Sequence, residues 1–541
     1  MLKRNYGVVY TPDTLAEFVV SLLSDFTKAE GAKIKTILDP ASGECSLLRA
    51  AKRLLGADKK YIGIDVDRDA VNATKDEYDI ILNDAIIPQN VRRNSASYWR
   101  EKLPPIDMII ANPPWSSEKI YSQDLIKNAG FTLGTGQYDS YVLFLELAYN
   151  ILSEGGYFGF IIPDSLFDAQ NEKLRYFLAS KTNIKVIARL GEKIFDEVNR
   201  AATVIICKKE NPTDDSLTKC FRLSTDERKE FLLGYGSLHG YFDRDAHLVH
   251  QTRFLHNDAY NFDVDTHSNE EELLDKITCD TIRWENLFVF GRGVEISKAG
   301  KIVFCPACGF AQGYKKKQLT EGKKTCTHCG AQILVNDETT HNVITSEPSS
   351  DSVFIYVGEN VRRYKVGGAN YIRKNIEGIN YKNEDLYTPP KMLIRKTGLG
   401  IYCAIDYTGS VTSQTVYILK YKDNQQKVPL EYYMALINSR VVYYFYLKVY
   451  GENEWKSHPY LTKKIIYTLP VRPFEDSKTD REIIALSSKL IKGYNHEDDM
   501  RLEKLIMKKY CLTDEERRLV LDEMSRLPDL SAVNDMKMEV Q

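Results

Sequence analysis

Between Lys33 and about Lys209 the chain alternates short apolar runs with longer amphipathic ones, and no other feature of it restricts the fold as strongly. Strand-like runs occupy 36–39, 61–65, 80–82, 108–111, 157–162 and 203–207, and helical spacing fills 46–55, 69–75, 141–152 and 166–180. Runs this short and this apolar suit strands covered on both faces, with the intervening helices as the cover. The alternation therefore predicts an α/β domain built on a doubly wound parallel sheet. Several runs end in an acidic or small residue, and ligands of such sheets collect beyond the carboxyl ends of the strands.

At 541 residues the chain is too long for one core, since a domain takes roughly 150 residues. Past Phe221 the pattern turns irregular, with short aromatic and β-branched runs at 353–357, 391–395, 400–405 and 416–420. This predicts a second, mixed α/β domain. Helical spacing returns between about Asp480 and Met524, through Ile483, Leu486, Leu490, Leu502, Leu505 and Ile506. The expected division is 1–222, 223–470 and 471–541. An apolar fraction of 43% with 27% charge fits a folded globular protein rather than a disordered one. No apolar run approaches the ~18 residues of a membrane helix, and Met1–Gly7 leads into no signal core, so the expectation is a cytoplasmic protein with no membrane partner.

The formal charge of −2 hides an asymmetry. Residues 300–470 hold 23 Lys and Arg against 14 Asp and Glu, and the rest of the chain holds 50 against 61. Positive potential is thus concentrated where a polyanion could be held. In the same stretch, at 302–334, Cys305-x-x-Cys308 and Cys326-x-x-Cys329 stand 17 residues apart, each pair followed by a glycine. Four thiolates on paired tight turns suit tetrahedral Zn²⁺ and leave no open coordination position, which predicts a structural zinc ribbon with His328 as a bystander. Lys315, Lys316, Lys317, Lys323 and Lys324 lie between the pairs, either as a fingertip on phosphate or as a solvated charge run. The other six cysteines are scattered, as in a reducing compartment, and Cys45 reads as a small buried residue.

Asn112-Pro113-Pro114-Trp115 follows directly on an apolar run. An exocyclic purine amine is a poor nucleophile because its lone pair is delocalised into the ring. If the Asn112 side-chain oxygen and the Pro113 carbonyl each accept one amine hydrogen, the nitrogen is drawn toward tetrahedral geometry and its lone pair toward an electrophile. The two prolines restrict the turn, and Trp115 offers a face for a base. An ordinary turn closing a strand, with Trp115 in the core, is the plainer alternative.

With Asp39-Pro40-Ala41-Ser42-Gly43 before it, this tetrapeptide resembles the amino-methylating S-adenosylmethionine-dependent methyltransferases, and further segments bring the chain closer to the TaqI-like, γ-class adenine-N6 DNA methyltransferases. Tyr10-Thr11-Pro12 resembles the family's opening motif over the cofactor's methionine part. The resemblance implies a cofactor loop at Asp39, Ala41 and Gly43, a ribose-binding acid at Asp65 beside Val66, and an adenine-binding acid at Asp84 beside Ala85. Asn112 would contact cofactor and base alike. Phe195, in the segment from Leu190 to Val204, would stack on the base opposite Trp115. The loop departs from the family at Glu44 and Cys45, the latter standing where a second glycine is usual, and the zinc ribbon is an insertion.

Segments at 357–361, 391–398 and 459–471 are similar to the family's specificity domain. That likeness would put Pro459 in the gap left by an extruded adenine and makes Arg362, Arg363, Lys365, Arg395 and Lys396 candidates for phosphate or base contact. The implied function is transfer of methyl from S-adenosylmethionine to N6 of a flipped adenine in double-stranded DNA, in a restriction-modification, defence or epigenetic system. A fused nuclease is not expected, since few residues precede Tyr10 and no nuclease carboxylate cluster stands out toward the carboxyl end, which leaves a separate restriction endonuclease or defence partner open. RNA or protein-glutamine amino-methylation uses the same lone-pair logic, and a non-catalytic DNA-binding protein with a methyltransferase fold is a rival of another class.

Overall fold

A computed structural model of the chain describes residues 11–88, 94–115, 121–134, 136, 138–195, 200–296, 300–368, 370–422, 428–451, 460–527 and 533–537. Tyr10 and Pro459 therefore lie outside the described residues. The chain divides into two compact units, Met1–Glu271 with Lys448–Ser457 and Glu272–Leu447 with His458–Gln541.

In the first unit, nine strands make one sheet: β1 (Thr36–Asp39), β2 (Lys60–Asp65), β3 (Asp79–Leu82), β4 (Ile106–Ala111), β5 (Leu152–Pro163), β6 (Asn183–Gly191), β7 (Ala202–Lys208), β8 (Leu217–Arg222) and β9 (His247–His250). Their order is β3-β2-β1-β4-β5-β7-β6-β8-β9. Pairing from β3 through β5 is parallel. Neighbouring residues point into opposite cores: Ile37, Met108, Ile110 and Tyr157 into one, Leu38, Ile109 and Phe158 into the other. That is why these runs are continuously apolar rather than alternating.

The sheet is mixed, not wholly parallel, because β7 runs antiparallel to both β5 and β6. Only residues 192–201 separate β6 from β7, and a parallel crossover needs a dozen or more. The helix expected over 166–180 is also shorter. Two 3₁₀ turns, Asp164–Phe167 and Ala169–Asn171, come first, and Asp168 between them has extended backbone at φ −69° and ψ 151°.

Seven helices of this unit matter for the site: α1 (Asp13–Ala29), α2 (Ser46–Leu55), α3 (Arg68–Thr74), α4 (Ser95–Lys102), α5 (Gln123–Asn128), α6 (Tyr141–Ile151) and α7 (Glu172–Lys181). Helix α1 buries Leu15, Val19, Leu22 and Leu23, the i, i+4, i+7 stripe of a core-facing helix. It lies so close to β5 that a Cβ on Gly159 would sit 2.8 Å from Leu23 and 3.2 Å from Val19. The chain leaves β1 toward β2 and β3 on one side, and β4 and β5 lie on the other. Crevices open at such a switch point.

The second unit is built on an antiparallel four-stranded sheet in the order Phe288–Arg292, Val416–Tyr421, Lys391–Arg395, Cys403–Asp406. Helices Lys478–Lys492, His496–Lys509 and Asp514–Ser525 follow where helical spacing was expected. The first and last begin with reciprocal caps, Ser477 with Asp480 and Thr513 with Glu516. No helix among the described residues is long and apolar enough to cross a membrane.

Candidate cofactor and base site

A cavity of about 530 Å³ opens at the carboxyl ends of the first unit's parallel strands. Its walls include Thr11, Asp39, Ala41, Gly43, Asp65, Val66, Asp84, Ala85, Asn112 and Pro114, so most residues expected to hold a cofactor converge on one space. The loop after β1 forms its floor. Ser42 N–H donates to the Ile64 carbonyl and Cys45 N–H to the Ser42 carbonyl, which closes a tight turn. Gly43 has φ +47°, and Cys45 has φ +61° at the start of α2. Cys45 thus keeps the left-handed backbone that glycine adopts freely, at a cost of roughly 1–2 kcal/mol, while its side chain fills the core.

Three carboxylates ring the cavity, each pinned on one side by backbone. Asp39 accepts from Ala41 N–H at 3.0 Å. Burial, reinforced by the neighbouring Asp65 charge, pushes it up to about 8 against that hydrogen bond. Asp65 accepts from Gly43 N–H at 2.7 Å and Asp67 N–H at 2.8 Å. Asp84 accepts from Ile86 and Ile87 N–H at 2.8 and 3.0 Å and from the Tyr121 hydroxyl at 2.8 Å. Burial raises Asp65 and Asp84 as well, and these donors oppose it. Carboxylates held this way can accept further donors with little reorganisation. Tyr121 is a wall residue that no sequence signal identified.

Asn112 sits just beyond β4, and its Nδ2 donates to Thr11 Oγ1 at 3.1 Å, which joins the segment at Thr11 to the loop at 112–115. The rest of the loop is fixed from behind. Ser140 Oγ donates to the Pro114 carbonyl, and the Arg200 guanidinium donates to the Trp115 carbonyl and to Asp139, each at 2.6 Å. Asp139 also accepts from Ser165 Oγ at 2.6 Å. Arg200, Asp139, Ser140 and Ser165 escaped the sequence reading. Arg200 alone had a local sign, standing beside the Ala201-Ala202 pair of a segment already singled out.

Trp115 and Phe195 do come together, but edge to face, with ring centroids 5.1 Å apart at 87°. Both are buried, and Trp115 Nε1 reaches the Ile161 carbonyl at 3.4 Å. Neither ring is a wall of the cavity. A base can occupy the space between them only if the Phe195 edge gives way.

In the second unit the four cysteine sulfurs of 305, 308, 326 and 329 lie within 4.8 Å of one another. Cys305 and Cys329 Sγ are 3.5 Å apart, and Cys308 and Cys326 Sγ 3.8 Å. Four thiolates on a tetrahedral zinc at about 2.3 Å stand about 3.8 Å from each other, so the donor set fits that ion. The two turns match: Gly309 N–H donates to the Cys305 carbonyl and Gly330 N–H to that of Cys326. Gly309 and Gly330 have φ +74° and +77°, which accounts for a glycine after each pair. His328 stacks on Phe310 with centroids 4.8 Å apart and is outside the cluster.

The candidate nucleic-acid contacts separate. Arg362 is exposed on a turn and Lys396 is half-buried. Arg395 is half-buried, and its Nε donates to the Thr397 carbonyl at 2.6 Å. Arg363 is a correction. It is buried, pairs with Asp499 at 2.7 Å and donates to the Asn438 carbonyl at 3.0 Å. Arg440 joins the same network through Asp499 and Glu503. A guanidinium enclosed by carboxylates and carbonyls is unavailable to DNA, and adjacency to Arg362 in the sequence concealed this.

Residues 2–231 match the N-6 DNA Methylase family, and residues 353–471 match the TaqI-like C-terminal specificity domain. Among curated proteins, the chain is 30% identical over 192 residues to the Type II methyltransferase M.AccI of Acinetobacter calcoaceticus, covering 34% of either chain. It is 29% identical over 224 residues to the Type II methyltransferase M.VspI of Vibrio sp. (strain 343), covering 40% of this chain and 52% of that one. The matches therefore span about a third to a half of these relatives. Among solved structures, a nuclease-deletion mutant of the Type ISP restriction-modification enzyme LlaGI, in complex with a DNA substrate mimic, is similar over 92% of this chain and 56% of its own, with a TM-score of 0.53 at 15% identity. At that identity the likeness is one of fold.

Proposed function

Because residues 2–231 belong to the N-6 DNA Methylase family and residues 353–471 to the TaqI-like C-terminal specificity domains, we propose that this chain is an S-adenosylmethionine-dependent DNA methyltransferase acting on N6 of adenine in double-stranded DNA. What carries the reading is one cavity that brings Asp39, Asp65 and Asp84 to the same space as Asn112 and Pro114. Its size falls in the ~300–1,000 Å³ range of small-molecule sites, and its Ser42 Oγ is buried with no hydrogen-bond partner among the described residues. Both features fit a polar cofactor.

Thr11, Asp39, Ala41, Gly43, Asp65, Val66, Asp84 and Ala85 would hold S-adenosylmethionine, with Asp65 accepting hydroxyls and Asp84 an amine. When bound, that cofactor supplies an electrophilic methyl group on a sulfonium. The target adenine has to leave the duplex, because its N6 takes part in pairing there. The Asn112 side-chain oxygen and the Pro113 carbonyl then accept the two amine hydrogens and orient the lone pair. Trp115 and Phe195 bracket the ring once they part. Pro114 shapes the turn, and Ser140 and Arg200 keep the loop from drifting. No thiolate is needed, and burial pushes the Cys45 thiol up to about 11, away from nucleophilic use.

In this reading residues 1–222 perform catalysis and 223–470 choose the site. The Cys305, Cys308, Cys326 and Cys329 sulfurs hold a structural zinc, and 471–541 form a helical support. Pro459 enters the duplex as a wedge. The setting is cytoplasmic, with a separate restriction endonuclease or defence partner.

The test offers labelled methyl donor with duplex DNA, structured RNA and a protein extract in parallel. Label in duplex DNA, recovered as N6-methyladenine, is the expected result. Label confined to RNA or protein overturns the assignment. Calorimetry with the cofactor alone tells an enzyme from a non-catalytic DNA-binding protein.

A further inference from the structure

One face of the second unit's four-stranded sheet carries cations interleaved with aromatic rings. Arg292 pairs across the sheet with Tyr417. Directly opposed residues share a face, as do residues two apart on one strand, so Phe290, Arg292 and Tyr417 project to the same side. The Phe290 and Tyr417 rings are 4.8 Å apart. Lys396 Nζ lies 5.8 Å from the centre of Tyr417 and 6.0 Å from that of Tyr460. At the other end, Lys463 Nζ lies 5.2 Å from Phe290 and 5.0 Å from Tyr467. Leu461 N–H donates to the Lys396 carbonyl at 2.8 Å, which ties the segment after Pro459 to this face.

Some cations of the unit are neutralised, Lys382 by Glu295 at 2.8 Å and Lys509 by Glu475 at 2.7 Å. On this face they are not. Among the described residues, none of Arg292, Lys396 and Lys463 pairs with a carboxylate, and the nearest partner of the Arg292 guanidinium is Gln414 Oε1 at 3.4 Å. Burial and the neighbouring Arg292 charge hold the Lys396 ammonium below its ordinary range. Glu295, already paired with Lys382, is the acid whose charge also feels Arg292, and three like charges gathered beside ring faces with no carboxylate in ion-pair contact raise the potential of the surface and favour a polyanion.

We propose that this face takes the sugar-phosphate backbone of duplex DNA, with Arg292, Lys396 and Lys463 as phosphate contacts and Tyr460 packed alongside. The inference rests on the DNA methyltransferase reading and adds a surface to it. Arg292 lies outside the matched specificity segment at 353–471 and reaches the face only through strand pairing. The rings hold Lys396 and Lys463 by their faces rather than by directional hydrogen bonds, which suits phosphates, whose positions do not depend on base sequence.

The experiment measures binding of the full chain to two duplexes of unrelated sequence between about 50 and about 200 mM salt. Arg292→Gln, Lys396→Gln and Lys463→Gln should each reduce the slope of log affinity against log salt by about 0.9, equally on both duplexes. Lys396→Arg and Lys463→Arg keep the charge and should keep the slope. Lys478→Gln, on an exposed helix start, should leave it unchanged. Unchanged slopes in all three Gln variants, with wild type still binding, overturn this assignment alone. If the Gln variants lose affinity for polyglutamate but not for duplex, the face serves an acidic protein and the proposal fails. A wild-type chain that binds no duplex sinks the underlying function reading as well.

Discussion

The Arg200 guanidinium bridges the Trp115 carbonyl and the Asp139 carboxylate, 2.6 Å to each. A planar fork spanning a loop carbonyl and a buried acid holds position better than a single hydrogen bond could. In the proposed reaction Arg200 would act through the loop, without touching the reacting atoms. Arg200→Ala should lower methyl transfer by roughly 10²-fold, with the loss in kcat rather than in the cofactor's KM. Arg200→Lys keeps the charge but not the fork and should recover only part. Steady-state kinetics with each substrate varied in turn provide the check, and an effect confined to cofactor KM would remove Arg200 from this role.

The proposed function gives Asn112 the more direct role. Asn112→Ala should abolish transfer while cofactor binding stays measurable by calorimetry, since the carboxylates of the cavity are untouched. Asn112→Asp tests the same point, because a carboxylate accepts hydrogen bonds but brings a charge toward the nucleophile. Retained transfer in Asn112→Ala would contradict the assignment.

The raised Asp39 makes stability depend on pH. In the folded chain it keeps its proton to about pH 8, whereas in the unfolded chain it ionises near its ordinary value of 3.8. Its stabilising contribution is complete below the lower value and is lost as pH climbs toward the higher one, by up to about 1.4 kcal/mol per pH unit. Asp39→Asn can still accept the Ala41 N–H and does not titrate. Without cofactor, its urea midpoint should therefore gain on wild type as pH is raised from about 5 to about 7.5. Parallel curves would show that Asp39 ionises normally.

Cys305→Ser should release zinc, measured by elemental analysis of the purified chain, and should weaken or misfold the second unit. Cofactor affinity should change little. Full site-specific transfer by metal-free protein would make the ribbon dispensable.

Arg363→Met leaves Asp499 and Glu503 with Arg440 as their remaining cation. Breaking one arm of a buried ion network costs about 3–5 kcal/mol, which a urea titration would register. The salt slope of duplex binding should stay as in wild type. A reduced slope with unchanged stability would return Arg363 to the surface.

The sequence alone determined the parallel part of the sheet, because strands buried on both faces are written as unbroken apolar runs such as 108–111 and 157–162. It also located the four-cysteine cluster and the turn at 112–115 on the cavity's edge, because both are written as residue types at short fixed spacing. The tertiary structure decided what depends on long-range meeting. The reversal of β7, the burial of Arg363 beside its exposed neighbour Arg362, the Arg200 bridge across 85 positions and the pairing of Arg292 with Tyr417 are all of this kind. Local pattern reports which face of an element is apolar. Which charge meets which partner is set only when distant elements pack, and no spacing along the chain records it.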